Sequence, residues 1–162
     1  MVERTFLTKS SSWRNFVQPG ELTTLGYLSK DPKRQVSVEI VEILGRDASP
    51  HVAKAQITII QPPKVFNYLI PIEEARELLI GCADSPLSYT KYMFGISPRT
   101  FGADPQVWYV KEFTGPYIGY VLTGVELKEP SEQIFPPDWV GTEVTEDPKY
   151  QLYNLGEFLI KG

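Results

Sequence analysis

The chain has 162 residues, 42% of them hydrophobic and 22% charged, with a formal net charge of −4. That length suits a single domain with a real core, and that composition excludes intrinsic disorder, which needs low hydrophobicity and high net charge. The acidic balance argues against a general nucleic-acid binder, which carries a basic excess. No apolar run reaches the roughly 18 residues of a membrane-spanning helix. The first residues, MVERTFLTKSSSW, bring charge within four positions and lack the apolar stretch of a signal peptide. The single cysteine, Cys82, has no internal partner for a disulfide, so a cytoplasmic setting is the expectation.

In chain order, aromatic and β-branched runs predict strands over 2–8, 22–29, 35–44, 52–60, 65–70, 88–94, 107–113 and 117–127. Fourteen prolines and twelve glycines separate them, and no repeat or domain boundary interrupts 1–162, which reads as one domain. A serine-capped short helix is expected over 11–17. The strongest helical signal follows Pro71. Glu73 and Glu74 occupy a first turn, and Ile72, Ala75, Leu78, Leu79 and Cys82 recur at helical spacing. Residues 150–160 form a weaker third candidate. Stretches 45–51 and 98–105 read as exposed loops, and the proline-rich 128–138 as a surface segment. Strands without regular intervening helices predict a mainly β, antiparallel sandwich or closed barrel with a few flanking helices.

The common catalytic signatures are missing: no phosphate loop ending in Lys-Ser/Thr, no HExxH, no GxSxG and no zinc-ligand cluster. His51, the only histidine, is expected to be a solvated loop residue rather than part of a triad. Cys82, on the apolar stripe, is expected to be a small buried hydrophobe. The scattered tryptophans and tyrosines suit packing better than base stacking. What remains are charges inside predicted strands: Glu3, Glu39, Glu112, Glu126, Lys91 and Lys111. A charged residue inside a strand needs either an outer face or an inward partner.

Those positions fall in motifs that resemble the CYTH family, the triphosphate tunnel enzymes, along nearly the whole chain. Residues 2–7, VERTFL, are similar to its opening E-x-E-R-K-[FY]-L strand, and Trp13-Arg14 to a Trp-Arg pair of short bacterial members. Gly26-Tyr27-Leu28-Ser29, Asp31-Pro32 and Arg34 resemble QGYLS-x-DP-x-R. Ala55 to Ile59 resembles A-x-L-T-I, and residues 70–79 resemble the I-P-x-x-x-A-x-x-L helix. Thr90-Lys91-Tyr92 is similar to K-T-R-Y. Trp108, Val110, Glu112-Phe113 and Gly115 are similar to W-x-V-D-x-F-x-G. Val125-Glu126-Leu127 resembles E-V-E-L, and residues 138–150 resemble the closing W-x-G-x-E-V-T-x-D-x-R-Y. The resemblance implies a closed tunnel of eight antiparallel strands. It also implies basic side chains on a triphosphate, and acids holding Mg²⁺ or Mn²⁺.

The chemistry positions depart from that pattern more than the framework does. The first Glu of the opening motif falls on Met1 and its Lys on Thr5. The R-x-R strand reads Ser37-Val38-Glu39, the lysine after T-I is Ile60, and the acids of E-Y-E are Asn67 and Leu69. The arginine of K-T-R-Y is Lys91, the aspartate of V-D-x-F is Lys111, and the first Glu of E-V-E-L is Gly124. Ser37, Glu39, Ile60, Lys91, Lys111 and Glu126 are expected to share one lumen with Glu3, and Glu112 to face outward. A triphosphate carries about four negative charges, so losing cations weakens its site. The leading expectation is therefore a noncatalytic binding or protein-interaction module with no cofactor and an unnamed protein partner. The alternative is a divergent metal-dependent triphosphatase acting on inorganic, nucleoside or thiamine triphosphate. In it Glu3 and Glu126 hold the metal and do the catalytic work, and Lys91, Lys111 and Arg4 bind substrate.

Overall fold

The computed structural model describes residues 2–15, 20–44, 50–82, 86–96 and 106–151. Its strands are β1 (Val2–Thr8), β2 (Glu21–Asp31), β3 (Arg34–Leu44), β4 (Pro50–Gln61), β5 (Lys64–Ile70), β6 (Leu87–Ile96), β7 (Gln106–Thr114), β8 (Val121–Leu127) and β9 (Val140–Glu143). One α-helix, α1 (Ile72–Ile80), lies between β5 and β6. No described helix is long and apolar enough to cross a membrane.

The strands form one antiparallel sheet in the order β5-β4-β3-β2-β6-β7-β8-β1-β9. This corrects the expectation of a closed eight-stranded tunnel in two respects. A ninth strand, β9, pairs with β1 on the far edge, and no pairing joins β5 to β9 among the described residues. The sheet is instead curled. Ile60 of β4 and Glu3 and Thr5 of β1 line the same cavity, although five strands separate β4 from β1 in the sheet.

Period two sorts the side chains between the two faces. On the convex face, Val38, Ile40 and Ala55 pack under Ala75 and Leu79 of α1. The predicted stripe is therefore the docking face of the helix. Farther along the same face, Phe6, Trp108, Val125 and Leu127 form one cluster and Trp13, Val110 and Trp139 another. The proline-rich stretch expected at the surface is tied there by buried Gln106. Its amide nitrogen donates to the Gln133 carbonyl at 2.6 Å, and its amide oxygen accepts from the Phe135 backbone at 2.9 Å.

On the concave face, Leu25, Leu87, Tyr89, Phe113, Tyr117 and Leu122 make a separate apolar cluster that fills part of the trough.

Other local expectations shift. The 11–17 helix is a 3-10 turn over Ser12–Asn15, its last two positions lying outside the described residues. His51 is not a loop residue, since its backbone pairs with Ile43 in the β3–β4 ladder. The strand expected over 117–127 begins only at Val121. Gly115 and Gly119 take φ of 65° and 99°, the left-handed conformations of a turn that precedes it. Most of the 150–160 candidate and all of 98–105 lie outside the described residues. Cys82 is half-buried rather than buried, and its thiol faces the Leu78 carbonyl.

Candidate active site

The strand registers put the singled-out charges on one face. Glu3 of β1 stands directly opposite Glu126 of β8, and Thr5 opposite Gly124. Lys91 of β6 stands opposite Lys111 of β7 and also opposite Glu21 of β2. Glu39 of β3 faces Gln56 of β4, Ser37 faces Thr58, and Gln35 faces Ile60. Directly opposed residues of an antiparallel pair share a face, so all of them look into the trough.

Of these charges, Glu3 and Lys111 line a cavity of about 460 Å³, together with Tyr109. Thr5, Tyr27, Gln35 and Ile60 form part of its wall, and Thr145, Tyr150 and Gln151 reach it from beyond β9.

The charges hold each other loosely. Lys91 Nζ lies 3.9 Å from Glu126, and Lys111 Nζ lies 4.0 Å from Glu3. Those are ion pairs at the outer limit of contact, weaker than a charge-assisted hydrogen bond. Glu39 is held by the Gln56 amide at 2.6 Å. Lys111 is the most enclosed, its side chain only 15% exposed. Burial pushes its ammonium pKa down. Glu3 opposes that shift, and neighbouring Lys91 adds to it.

Tyr109 sits between these groups. It is 2% exposed, and its hydroxyl donates to Glu3. Lys91 and Lys111 lie over its ring, 4.5 and 5.3 Å from the centroid. Burial, with the charge of Glu3 and the hydrogen bond to it, pushes the phenol well above the ordinary tyrosine range. Tyr89 is pushed up to about 12, chiefly by burial and then by Glu39.

Arg4 is elsewhere. It alternates with Glu3 along β1, points to the other face, and donates to Glu143 at 2.9 Å through Nε. That geometry removes it from the candidate substrate-binding set. Glu112 likewise faces outward, where it accepts from Arg14.

A metal is implied by the resemblance, and the residues can be tested against it. Among the described residues no three His, Cys, Asp or Glu gather into a cage. A hard divalent cation does not require one. Mg²⁺ is commonly held by one or two carboxylates, with water and substrate phosphates completing its shell. The facing pair Glu3 and Glu126 fits that mode.

Sequence reasoning brought Glu3, Glu126, Lys91 and Lys111 together but passed over Tyr109 as packing. The available signal was its alternation with Lys111 along one strand; its place opposite Gly124 is visible only in the structure.

A curled antiparallel sheet with acids and lysines on its concave face is of the tunnel type that the motif resemblance implies. No family model matches the chain. An inorganic triphosphatase from Acetivibrio thermocellus is 29% identical over 159 residues, covering 95% of this chain and 91% of that protein. The crystal structure of the inorganic triphosphatase NE1496 superposes with a TM-score of 0.68 at 20% identity, covering 96% of this chain and 97% of that one. A second structure, described as the hypothetical protein NE1496, gives 0.67 at 20% identity, with 96% of each chain covered. The chain is thus similar to a named inorganic triphosphatase along nearly its whole length, and its fold is that of the solved NE1496 structures, in keeping with the CYTH resemblance of its motifs.

These findings overturn the noncatalytic module as the leading expectation. The relative that matches almost end to end carries the name of an enzyme, and that favours the triphosphatase alternative. The error lay in counting missing cations against a reference pattern. The cations that remain, Lys91 and Lys111, are adjacent and lie on the same face of the sheet as the remaining acids, with Lys111 and Glu3 lining the cavity.

Proposed function

We propose that the chain is a metal-dependent triphosphatase, with inorganic triphosphate as the first substrate to consider and nucleoside or thiamine triphosphate as further ones. The observation that carries this reading is the pairing of two opposites on one face of the curled sheet: Lys91 facing Lys111, and Glu3 facing Glu126.

Lys91 and Lys111 bind phosphate oxygens as paired point charges. Glu3 and Glu126 hold the cation, which when bound neutralises phosphate charge and acidifies a coordinated water. Tyr109 keeps Glu3 and the two lysines in place. Leu25, Leu87, Phe113 and Leu122 restrict water on one side of the trough, which strengthens charge interactions within it. The reaction breaks one phosphoanhydride P–O bond with water, and tripolyphosphate yields diphosphate and phosphate.

Glu3, Glu39 and Glu126 outnumber the two lysines, so the trough alone is short of positive charge for a triphosphate. The cation supplies the difference, and the reading therefore demands strict metal dependence. Phosphate release from tripolyphosphate with Mg²⁺ or Mn²⁺, compared with a chelated control, tests it. Release that persists in chelator, or no release with either metal, rejects it.

A further inference from the structure

Gly124 and Tyr109 are direct partners across β7 and β8. A Cβ built on Gly124 would lie 2.2 Å from Tyr109 Cζ and 2.3 Å from its hydroxyl oxygen. The tyrosine ring thus lies over the glycine backbone, in the space that any side chain at 124 would need. From there its two ends do different things. The hydroxyl donates to Glu3, and the ring face carries Lys91 and Lys111.

We propose that Tyr109 is the positioning residue of this trough. Its hydroxyl fixes Glu3 for the cation, and its ring fixes the two lysines for the phosphates, in room that Gly124 leaves open. The inference rests on the triphosphatase reading for the identity of the ligands, and on the geometry for the role.

Three features make the role more than packing. A residue that only filled space would not need a hydroxyl aimed at a carboxylate. Two ammonium groups standing directly opposite each other repel, and the Tyr109 ring attracts both, with the Tyr89 ring 5.1 Å from Lys111 as a second such partner. Finally, Glu3 keeps half of its side chain exposed, 52%, so packing alone does not hold it. The hydrogen bond from Tyr109 does, in the way outer partners orient metal-binding carboxylates.

The two ends can be separated by substitution. Tyr109→Phe keeps the ring and removes the donor. Gly124→Ala leaves Tyr109 intact but drives its ring off the backbone. The first measurement is calorimetric binding of Mn²⁺ alone to the full chain. The second is binding of tripolyphosphate without metal at low salt, with thermal unfolding as the check on folding. Tyr109→Phe should weaken Mn²⁺ by about tenfold or more while tripolyphosphate binding stays near wild type. Gly124→Ala should weaken tripolyphosphate by about tenfold. If Gly124→Ala unfolds, Tyr109→Leu removes the ring without the collision and carries the same expectation. Wild-type Mn²⁺ affinity in Tyr109→Phe, or wild-type tripolyphosphate affinity in the ring variants, overturns the proposal. A wild type that binds Mn²⁺ but releases no phosphate sinks the triphosphatase reading alone, and the Mn²⁺ comparison still decides the role of Tyr109. A wild type that binds no Mn²⁺ overturns both.

Discussion

Lys91 and Lys111 face each other as direct cross-strand partners, with both ammonium groups over the ring of Tyr109. Like charges directly opposed in a sheet destabilise it. Their counter-ions, Glu126 and Glu3, stand at 3.9 and 4.0 Å rather than in tight contact. The fold thus tolerates a local electrostatic cost, which a bound polyanion would relieve.

That cost predicts opposite effects of one substitution on stability and binding. Lys111→Met removes a buried charge and replaces it with an apolar side chain of similar length. Thermal stability of the free protein should hold or rise, by up to about 1 kcal/mol. Tripolyphosphate affinity should fall roughly tenfold to a hundredfold, the worth of a charged hydrogen bond. A variant that loses stability and keeps affinity would show Lys111 to be structural.

The same lysine sets a pH limit. Burial holds its folded pKa below the ordinary lysine value of 10.5, so the folded chain releases the proton before the unfolded chain does. The protonated form is therefore penalised in the fold at every pH below the folded pKa. That penalty fades as pH rises from the folded value towards 10.5. Binding runs the other way, because the phosphate site loses a charge over the same interval. Tripolyphosphate affinity should decline on the alkaline side before an ordinary lysine titrates. Lys111→Arg, which stays protonated, should flatten that decline in a calorimetric pH series.

Glu126 gives a cleaner test of the metal site than Glu3, because it is Glu3 that accepts the hydrogen bond of the Tyr109 hydroxyl. Its partner across β6 and β8 is Lys91 alone among the described ion pairs. Glu126→Gln preserves shape and removes the charge. Metal-dependent phosphate release should fall about a hundredfold or more, with the unfolding temperature little changed. Activity within a few-fold of wild type would move the metal site away from the β1–β8 pair.

The strands were legible because alternation over β1, β3 and β7 is strong, and it fixed which side chains share a face. The α1 stripe was legible for the same reason at helical period. Closure was not legible. A sheet closes or stays open through strand pairing at its two edges, and β9 is only four residues, Val140–Glu143, in a stretch crowded by prolines. The acids and lysines of the trough could be named from motif register. The function could not, because absent arginines say nothing of how the remaining charges are arranged. Tyr109 was missed because its partner is a glycine, and an empty position leaves no pattern in a sequence.

Gly26 tests the packing of α1 on the sheet. A Cβ there would lie 2.5 Å from Cys82 Sγ and 2.7 Å from Leu79 Cδ2. Leu79 is buried and cannot swing away without leaving Val38 and Ile40 uncovered. Gly26→Ala should therefore cost about 1–3 kcal/mol in chemical denaturation, the usual range for overpacking. A neutral result would mean that α1 rides on the sheet more loosely than its contacts indicate.

Glu39 is the acid that the triphosphatase reading needs least, and removing its charge should improve the protein as a phosphate binder. It stands on the trough face opposite Gln56, whose amide donates to it at 2.6 Å. Its charge reaches the centre of the site, where it acts on both Tyr89 and Lys111. A bound triphosphate feels the same negative charge as repulsion. Glu39→Gln keeps an oxygen that accepts from Gln56, so the β3–β4 pairing should survive. With the charge gone, tripolyphosphate should bind roughly threefold to tenfold tighter at low salt, a range set by one unscreened charge at intermediate effective dielectric. The gain should shrink as salt shortens the screening length to about 10 Å near 0.1 M. Glu39→Arg should carry the effect further, at some loss of stability in the free protein, because a third cation then faces Lys91 and Lys111. Calorimetry across a salt series reads both variants. Weaker binding in Glu39→Gln, accompanied by weaker Mn²⁺ binding, would place Glu39 among the metal's carboxylates and move the cation from the β1–β8 pair towards the centre of the trough.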